Sequence, residues 1–301
     1  MTDHIVTFFI TTARSGTQWV ESALNEIYGD LLMAEHEPLR YLYKPRTNLR
    51  DLDKLRALRE NPRIRAHLER IHEITMTHTY VEVGFPAFAL APLLREEFGD
   101  RLRLVQLTRD PVKVAASTVT HNWPDRQDII DSILPTPLDP GTKLAKYADV
   151  WPRLTGFEKG LFYWYEVHSY GLEQEPASPP GTYLRIQFEK LVKDDQTQGV
   201  FCDFLGLPRR PDWAEFTSER VDGYYYRTSE PINWAAIHEY PEIYHLAKTL
   251  GYEPEKLDPE VLSARYRQHH LRTLAGRFKR RVLGHLSRGK RLIGRWLGRK
   301  S

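Results

Sequence analysis

The sequence predicts an α/β fold in which a central, mainly parallel sheet is flanked by helices and followed by a basic helical C-terminal tail. Two observations support this fold class. Short β-rich runs break into turns that contain Ser, Gly or Pro, and each turn opens a segment with apolar residues at helical spacing. Strands that alternate with helices in this way form βαβ units, which build a parallel sheet.

The length and composition agree with this class. The chain has 301 residues, of which 41% are hydrophobic and 12% aromatic, so the composition is that of a globular protein. This length is sufficient for one large α/β domain or for two small ones. Because the charge pattern changes after residue 260, we expect one domain over 1–260 and a basic amphipathic helical tail over 261–301.

The elements follow one another as strand, helix, strand and helix. The predicted strands are Ile5–Thr11, Tyr80–Val83, Leu102–Leu107 and Tyr183–Gln187. The first predicted helix contains Trp19, Leu24 and Ile27 on its apolar face, and the second runs from Pro86 to Phe98. The third begins at Asp110-Pro111, and the last ends near Leu205. Residues 121–155 contain five prolines and are predicted to be an insertion over one end of the sheet. Ligands of such sheets bind beyond the carboxyl ends of the strands.

The basic residues are concentrated at the C-terminus. Of the 43 Lys and Arg residues, 13 follow Glu260, and none of the 40 Asp and Glu residues does, so residues 1–260 carry a formal net charge of −10. Within 264–301, the segment Leu271–Trp296 alternates apolar and basic residues near helical spacing. Such a helix suits an anionic membrane surface, an acidic glycan or docking on the domain. Nucleic acid is disfavoured as a partner of this tail because no aromatic–basic recognition motif accompanies the predicted helix.

Cysteine usage and the N-terminus bear on the compartment. Cys202 is the single cysteine, which excludes a disulfide framework or a cysteine-built metal site and indicates a reducing compartment. The N-terminus has no basic region, and its apolar run Ile5–Ile10 is too short for a signal peptide or a membrane span. We expect a cytoplasmic protein whose tail allows peripheral attachment to the inner membrane face. The sequence does not predict an oligomeric state.

The first predicted strand runs into the loop Thr12–Trp19, which has the pattern of an anion-binding loop. The N–H groups of a Ser/Gly/Thr turn and of the helix that follows point at an anion, and Arg14, Ser15 and Thr17 add hydrogen-bond donors. The loop is P-loop-like, but it has one glycine and lacks the Lys-Ser/Thr pair of G-x-x-x-x-G-K-[ST], which argues against metal–nucleotide chemistry. The alternative is an ordinary strand–helix turn with an exposed arginine.

A second loop has the same form. The run Leu104–Leu107 leads into Thr108-Arg109-Asp110-Pro111, and Ser117 follows two turns into the predicted helix. Arg109 and Ser117 are therefore expected to converge on one phosphate. The alternative is a plain helix start, and Asp110 is expected to cap this helix in either case.

The two loops together resemble those of the sulfotransferases over about residues 5–252. The first is similar to the phosphosulfate-binding loop, commonly Lys/Arg-Ser-Gly-Thr/Ser followed by an aromatic residue. The second is similar to the Arg-Asp-Pro segment with a serine eight residues on. A third similar stretch is Phe188-Glu189-Lys190-Leu191, with Phe204-Leu205-Gly206-Leu207-Pro208 after it.

This resemblance implies the donor 3′-phosphoadenosine 5′-phosphosulfate (PAPS) and no catalytic metal. It implies that the 5′-phosphosulfate is held by the first loop, the adenine by an aromatic residue and the 3′-phosphate by the second loop. The residues so assigned are Arg14, Ser15, Gly16, Thr17, Gln18 and Trp19, then Arg109 and Ser117, together with Phe188 and, as a weak substitute for a late basic loop, Arg227. Because arginine keeps its proton at neutral pH, Arg14 is expected to stabilise charge and not to act as a general acid.

The general base is expected on a different segment. Cytosolic sulfotransferases use a histidine where this chain has Val83-Gly84-Phe85-Pro86, whereas carbohydrate sulfotransferases tend to carry Glu-Pro-Leu after the first helix. This chain has Glu37-Pro38-Leu39 there. We therefore predict Glu37 as the base, with His36 second and Glu82 third.

The sequence thus predicts sulfuryl transfer from PAPS to an acceptor hydroxyl, on a carbohydrate or glycolipid. The acceptor is expected between the donor loops, beneath residues 36–50, 121–155 and 222–236. Two alternatives remain open: a P-loop-like phosphotransferase, and a catalytically inert member that binds a nucleotide or an acidic glycan.

Overall fold

The structure, a computed structural model, describes residues 4–39, 50–123, 126, 129–130, 134–210, 213 and 232–263. Within them, five strands form one sheet: β1 Val6–Thr11, β2 Leu32–Glu35, β3 Thr79–Glu82, β4 Leu102–Thr108 and β5 Tyr183–Gln187. The strand order is β2-β3-β1-β4-β5, and every described pair is parallel. The predicted α/β class with a central parallel sheet is confirmed.

The position of β1 determines where the site lies. The chain leaves β1 toward β2 and β3 on one side and later crosses to β4 and β5 on the other. The order therefore reverses at β1, and in open parallel sheets ligands bind outside the carboxyl ends of the strands at such a point. The first predicted loop begins there, directly after Thr11.

Strand β2 is the part of the sheet that the sequence prediction lacked. It has only four residues, and only two of them, Leu32 and Ala34, are buried, so it has no continuous apolar run. It lies at the sheet edge, where Asn25 covers it: the Asn25 side-chain amide donates to the Ala34 carbonyl (2.9 Å) and accepts from the Ala34 N–H (3.0 Å).

Helices cover both faces of the sheet. They are α1 Thr17–Tyr28, α2 Leu52–Ala57, α3 Pro62–Ile74, α4 Ala91–Phe98, α5 Pro111–Thr120, α6 Gly156–Gln174, α7 Phe188–Lys193, α8 Asp195–Leu205 and α9 Pro241–Thr249. The predicted helix from Pro86 is divided into a 3₁₀ segment, Phe85–Leu90, and then α4. The long helix α6 was not predicted; it begins with a capping box formed by Thr155 and Glu158.

The core consists of apolar layers on the two faces. On β1, Phe8 and Ile10 belong to one cluster with residues of α3, α4 and α6, while Phe9 belongs to the other cluster with residues of α1 and α8. This alternation is the two-residue period of a strand buried on both sides. Both faces therefore fix β1, so the loop that follows it starts from a rigid base.

Four predictions lie outside the described residues or remain without a test. Arg227 and the tail 264–301 lie outside them, as do residues 40–49 and 222–231 and part of 121–155 in the expected acceptor region. The division into 1–260 and 261–301 stays a prediction. None of the described helices combines the length and apolar character needed to cross a membrane.

Candidate active site

The loop after β1 has a backbone suited to an anion. Arg14 has φ 67° and Gly16 has φ 89°, both in the left-handed region, with Ser15 between them. Left-handed residues in such turns direct successive N–H groups into a concavity that binds anions. Helix α1 begins directly after Gly16 and has no acidic residue in its first turn, so its N-terminal N–H groups and dipole favour a negative charge.

Hydrogen bonds within the loop and from helix α6 hold the loop after β1 in place. The hydroxyls of Thr12 and Ser15 lie 2.6 Å apart, and both residues are buried. The Ala13 N–H donates to the hydroxyl of Tyr163 on α6 (2.8 Å). Burial raises the pKa of Tyr163 far above its usual value, and the nearby Glu37 carboxylate raises it further, so this hydroxyl stays protonated. Helix α6 therefore anchors the loop through a neutral group.

The two predicted donor loops meet in space. The Nε of Arg14 donates to the hydroxyl of Ser117 on α5, 103 residues away, at 3.0 Å. The guanidinium of Arg109 donates to the Arg14 carbonyl and lies over the ring of Phe188, 5.5 Å from its centroid. Four residues predicted from separate stretches of sequence therefore form one cluster.

The second loop holds Arg109 in place through its own backbone. Asp110 caps α5 by accepting from the N–H groups of Val112 (3.0 Å) and Lys113 (3.1 Å), as expected. The indole N–H of Trp164 on α6 donates to the Arg109 carbonyl (2.8 Å). These bonds direct the Arg109 side chain toward the first loop.

Gly16 is in close contact with Phe188. A Cβ on Gly16 would lie 2.1 Å from the Cε2 atom of Phe188, so only glycine fits beneath this ring. The ring of Phe188 in turn contacts Trp19 edge-on, with 5.8 Å between centroids, and Trp19 also packs against Trp213 at 5.8 Å.

Trp19 and Gln18 differ in exposure. Trp19 is only 5% exposed and belongs to the core cluster beneath α1, whereas Gln18 is exposed in the first turn of this helix. An adenine contact of Trp19 stays a prediction, and it would be made by the small exposed part of its ring.

The predicted base lies at the end of β2. His36 Nε2 is 2.9 Å from the hydroxyl of Thr17, the first residue of α1, and 3.1 Å from Oε1 of Glu37. The side chains of His36 and Glu37 are 20% and 10% exposed. The Glu37 carboxylate is therefore linked through His36 to the N-terminus of the helix that follows the first loop.

The third candidate base, Glu82, lies in a buried network. Glu82 has no exposed surface, and its Oε2 lies 2.9 Å from His67 Nε2 and 3.2 Å from the Tyr80 hydroxyl. The Tyr80 hydroxyl also lies 2.8 Å from Glu35, which pairs with Arg70. Burial alone would raise the pKa of Glu35, but the hydrogen bonds from Arg70 and Tyr80 outweigh it and lower this pKa. The network stiffens the ends of β2 and β3.

The sequence prediction missed two residues of α6 that support the loops, Tyr163 and Trp164. They lie in the aromatic run Leu161–Tyr165, which indicates a buried helix but not which ring reaches a loop about 150 residues earlier. Within the described residues, no group of three or more His, Cys, Asp or Glu side chains is arranged to hold a metal ion.

Comparisons with known proteins agree with this geometry at the level of the fold. Neither a protein-family model nor a curated protein matches the chain. A sulfotransferase from Alicyclobacillus acidocaldarius aligns over 82% of this chain and 96% of its own, with 14% identity and a TM-score of 0.50. The sulfotransferase domain from the curacin biosynthetic pathway aligns over 83% and 98%, with 15% identity and a TM-score of 0.47.

A third solved structure, a mouse sulfotransferase complexed with PAP, aligns over 82% of each chain, with 13% identity and a TM-score of 0.40. At these identities a structural match reports the fold. Together with the parallel sheet and the loop after β1, the match to the bacterial enzyme leads to one conclusion: the described part of the chain has the sulfotransferase fold.

Proposed function

We propose that the protein is a sulfotransferase that moves a sulfuryl group from PAPS to an acceptor hydroxyl. The observation that carries this proposal is the hydrogen bond between Arg14 and Ser117, reinforced by the bond from Arg109 to the Arg14 carbonyl. These contacts bring two loops of anion-binding type together at the carboxyl ends of β1 and β4. A donor with a 5′-phosphosulfate and a 3′-phosphate needs two such sites side by side.

The residues present fit this donor. The left-handed turn at Arg14 and Gly16 and the uncapped N-terminus of α1 suit the 5′-phosphosulfate, with Ser15, Thr17 and Gln18 as further ligands. Arg109 and Ser117 suit the 3′-phosphate. The ring of Phe188, with the edge of Trp19 beside it, suits the adenine.

The chemistry divides between the two sides of the site. PAPS supplies an activated sulfuryl group: the acceptor oxygen forms a bond to sulfur, the bond from sulfur to the 5′-phosphate oxygen breaks, and PAP leaves. Arg14, which remains charged, and the dipole of α1 stabilise the charge that develops on the leaving phosphate. Positioning and charge stabilisation dominate such transfers, by analogy with phosphoryl transfer.

The acceptor proton goes to Glu37. Glu37 is favoured over Glu82 because its carboxylate is partly exposed, whereas Glu82 is enclosed by its network. His36, at 3.1 Å from Glu37 Oε1, orients this carboxylate, and its contact with Thr17 ties the pair to the donor loop. His36 is the second candidate for the proton acceptor.

The acceptor we propose is a carbohydrate or glycolipid hydroxyl. The support for it is the Glu37-Pro38-Leu39 sequence, which is similar to the base segment of carbohydrate sulfotransferases. As part of the same proposal, the protein works in the cytoplasm, and its basic tail 264–301 binds an anionic membrane surface and brings the enzyme to lipid-linked acceptors.

Labelled-sulfate transfer from PAPS by the purified full chain, screened over extracted glycans and lipids, tests the proposal. We expect a labelled product from one acceptor class and PAP binding by calorimetry in the absence of a metal. Magnesium-dependent ATP binding without PAP binding would establish the phosphotransferase alternative. PAP binding with neither transfer nor donor hydrolysis would establish an inert binding protein.

A further inference from the structure

Gly84 lies two residues after the end of β3, and its torsion angles do not require a glycine. Its φ of −95° and ψ of 127° are ordinary extended values that any residue adopts. The reason for a small residue must therefore lie in what surrounds it.

The surroundings of Gly84 include the backbone of Glu37. A Cβ added to Gly84 would lie 3.2 Å from the Glu37 nitrogen, 3.3 Å from the Glu37 Cα and 3.4 Å from Oε1 of Glu82. Carbon atoms in contact prefer about 3.5–4.0 Å. The turn that contains the proposed base Glu37 therefore packs directly against the backbone of Gly84. The preceding residue, Val83, donates its N–H to the Glu35 carbonyl (2.8 Å).

Glu82 and Glu37, the two residues that the added Cβ would approach, differ in how easily they can move. Glu82 is held by His67 and Tyr80, and all three side chains are buried, so it has little freedom to move. Glu37 has φ 53°, a left-handed conformation that is unfavourable for a residue with a side chain and persists only where the surroundings impose it. An added methyl group at position 84 would therefore displace the turn at Glu37.

We propose that Gly84 is a positioning residue for Glu37. This inference rests on the proposed function, in which Glu37 takes the acceptor proton. Because Gly84 has no side chain, the His36–Glu37 turn lies close against the end of the sheet. In this position Oε1 of Glu37 lies 3.1 Å from His36 Nε2. A shift of the turn by a few tenths of an ångström moves the carboxylate away from His36 and from the acceptor.

A graded series at position 84 tests this inference. Displacement of a catalytic group by about 1 Å costs about 100-fold in rate. We expect Gly84→Ala to lower kcat about tenfold and Gly84→Val about 100-fold. The affinity for PAP should be unchanged in both variants, because the donor loops are not displaced. If the valine variant does not fold, the alanine variant decides the question.

A double variant separates positioning from general damage. In a Glu37→Gln background, adding Gly84→Ala should cause no further loss of kcat, because the group that Gly84 positions is already gone. Additive losses, or full activity of Gly84→Ala, would overturn the inference. Gly199→Ala on α8 is the matched control: the three atoms nearest to its Cβ would all belong to the end of the exposed Arg209 side chain, which can move, so activity should stay normal.

The same experiments separate this inference from the proposed function. Full turnover in Glu37→Gln alone would refute Glu37 as the base, whatever happens at position 84. Lost turnover in Glu37→Gln with normal turnover in Gly84→Ala would leave the proposed function standing and refute only the role of Gly84.

Discussion

The two halves of the candidate site are built differently. On the donor side, side chains and carbonyls far apart in sequence are joined by hydrogen bonds, such as Arg14 to Ser117 and Arg109 to Arg14. On the acceptor side, the turn at Glu37 combines an unfavourable φ with a close contact to the backbone of Gly84. In the described residues, side-chain hydrogen bonds therefore join the two donor loops, whereas the position of the proposed base depends on the conformation of one turn.

This difference predicts which property each half controls. Changes on the acceptor side should reduce turnover at unchanged donor affinity, because the proposed base is not among the residues assigned to the donor. Changes on the donor side should reduce donor affinity and turnover by smaller factors, because several groups are proposed to contact the donor's phosphates. The predictions below test this division, beginning with the largest expected effect.

The strongest test is Glu37→Gln, which keeps the shape of the side chain and removes the base. General acid–base catalysis contributes about 10²–10⁴-fold, so kcat should fall about 10³-fold. PAP affinity, measured by calorimetry, should not change. A parallel fall in PAP affinity would mean that the two halves are not separate.

Arg14→Ala should reduce kcat by about 10²–10³-fold, because it removes the fixed charge at the leaving phosphate. Arg14→Lys is the matched variant: it keeps a positive charge but loses the Nε donor to Ser117. Its kcat in the labelled-sulfate assay should lie between those of the wild type and the alanine variant. Equal activities of the lysine and alanine variants would refute a charge-stabilising role.

Arg109→Ala should weaken PAP binding about 10–100-fold, since a hydrogen bond to a charged group contributes about 1.5–3 kcal/mol. Calorimetric titration with PAP measures this. Arg103→Ala is the control at the opposite end of the same strand, where Arg103 bonds only to nearby backbone carbonyls in the described residues. An unchanged affinity in Arg109→Ala would mean that the second loop does not bind the donor.

Tyr163→Phe should lower the free energy of unfolding by about 1–3 kcal/mol and weaken PAP binding, because it leaves the buried Ala13 N–H without its acceptor. Tyr170→Phe on the same helix removes a buried hydroxyl that donates to the Ala89 carbonyl (3.3 Å), away from the loop. It should reduce stability without reducing PAP affinity. Identical binding by both variants would show that α6 does not support the donor loop.

His168 should affect stability alone. Burial lowers its pKa to about 3, and neither ring nitrogen has a hydrogen-bond partner among the described residues. The unfolded chain binds this proton more readily, so stability is lost as the pH falls from about 6.5 toward 3, by up to about 1.4 kcal/mol per pH unit. Denaturant unfolding of His168→Leu should show a shallower loss over this range, and an unchanged slope would exclude His168 as the cause.

The sequence was most informative where local backbone chemistry defines the structure. The strand, the Ser-Gly-Thr turn and the helix start around Arg14 are adjacent in the chain, and so are those around Arg109, so both loops could be predicted. Both loops were expected at the carboxyl ends of the strands, and the structure shows that they meet through Ser117 because β1 and β4 are parallel neighbours.

What the sequence did not reveal depends on contacts between distant segments. Strand β2 is too short and too exposed to give an apolar pattern, although the turn with the proposed base Glu37 directly follows it. The burial of Trp19 required Trp213, almost 200 residues away, and the anchor at Ala13 required Tyr163. Which glycine is needed for a close approach, as at Gly84, also depends on the packed structure.

The amide of Asn25 has a consequence beyond the site. An edge strand presents unpaired N–H and C=O groups to which a strand from another molecule can add, and this is a common route to aggregation. By bonding both backbone groups of Ala34, Asn25 takes the place of that incoming strand. At Ala34, next to the turn with the proposed base, a side chain of the same chain therefore occupies the hydrogen-bonding positions that an added strand would use.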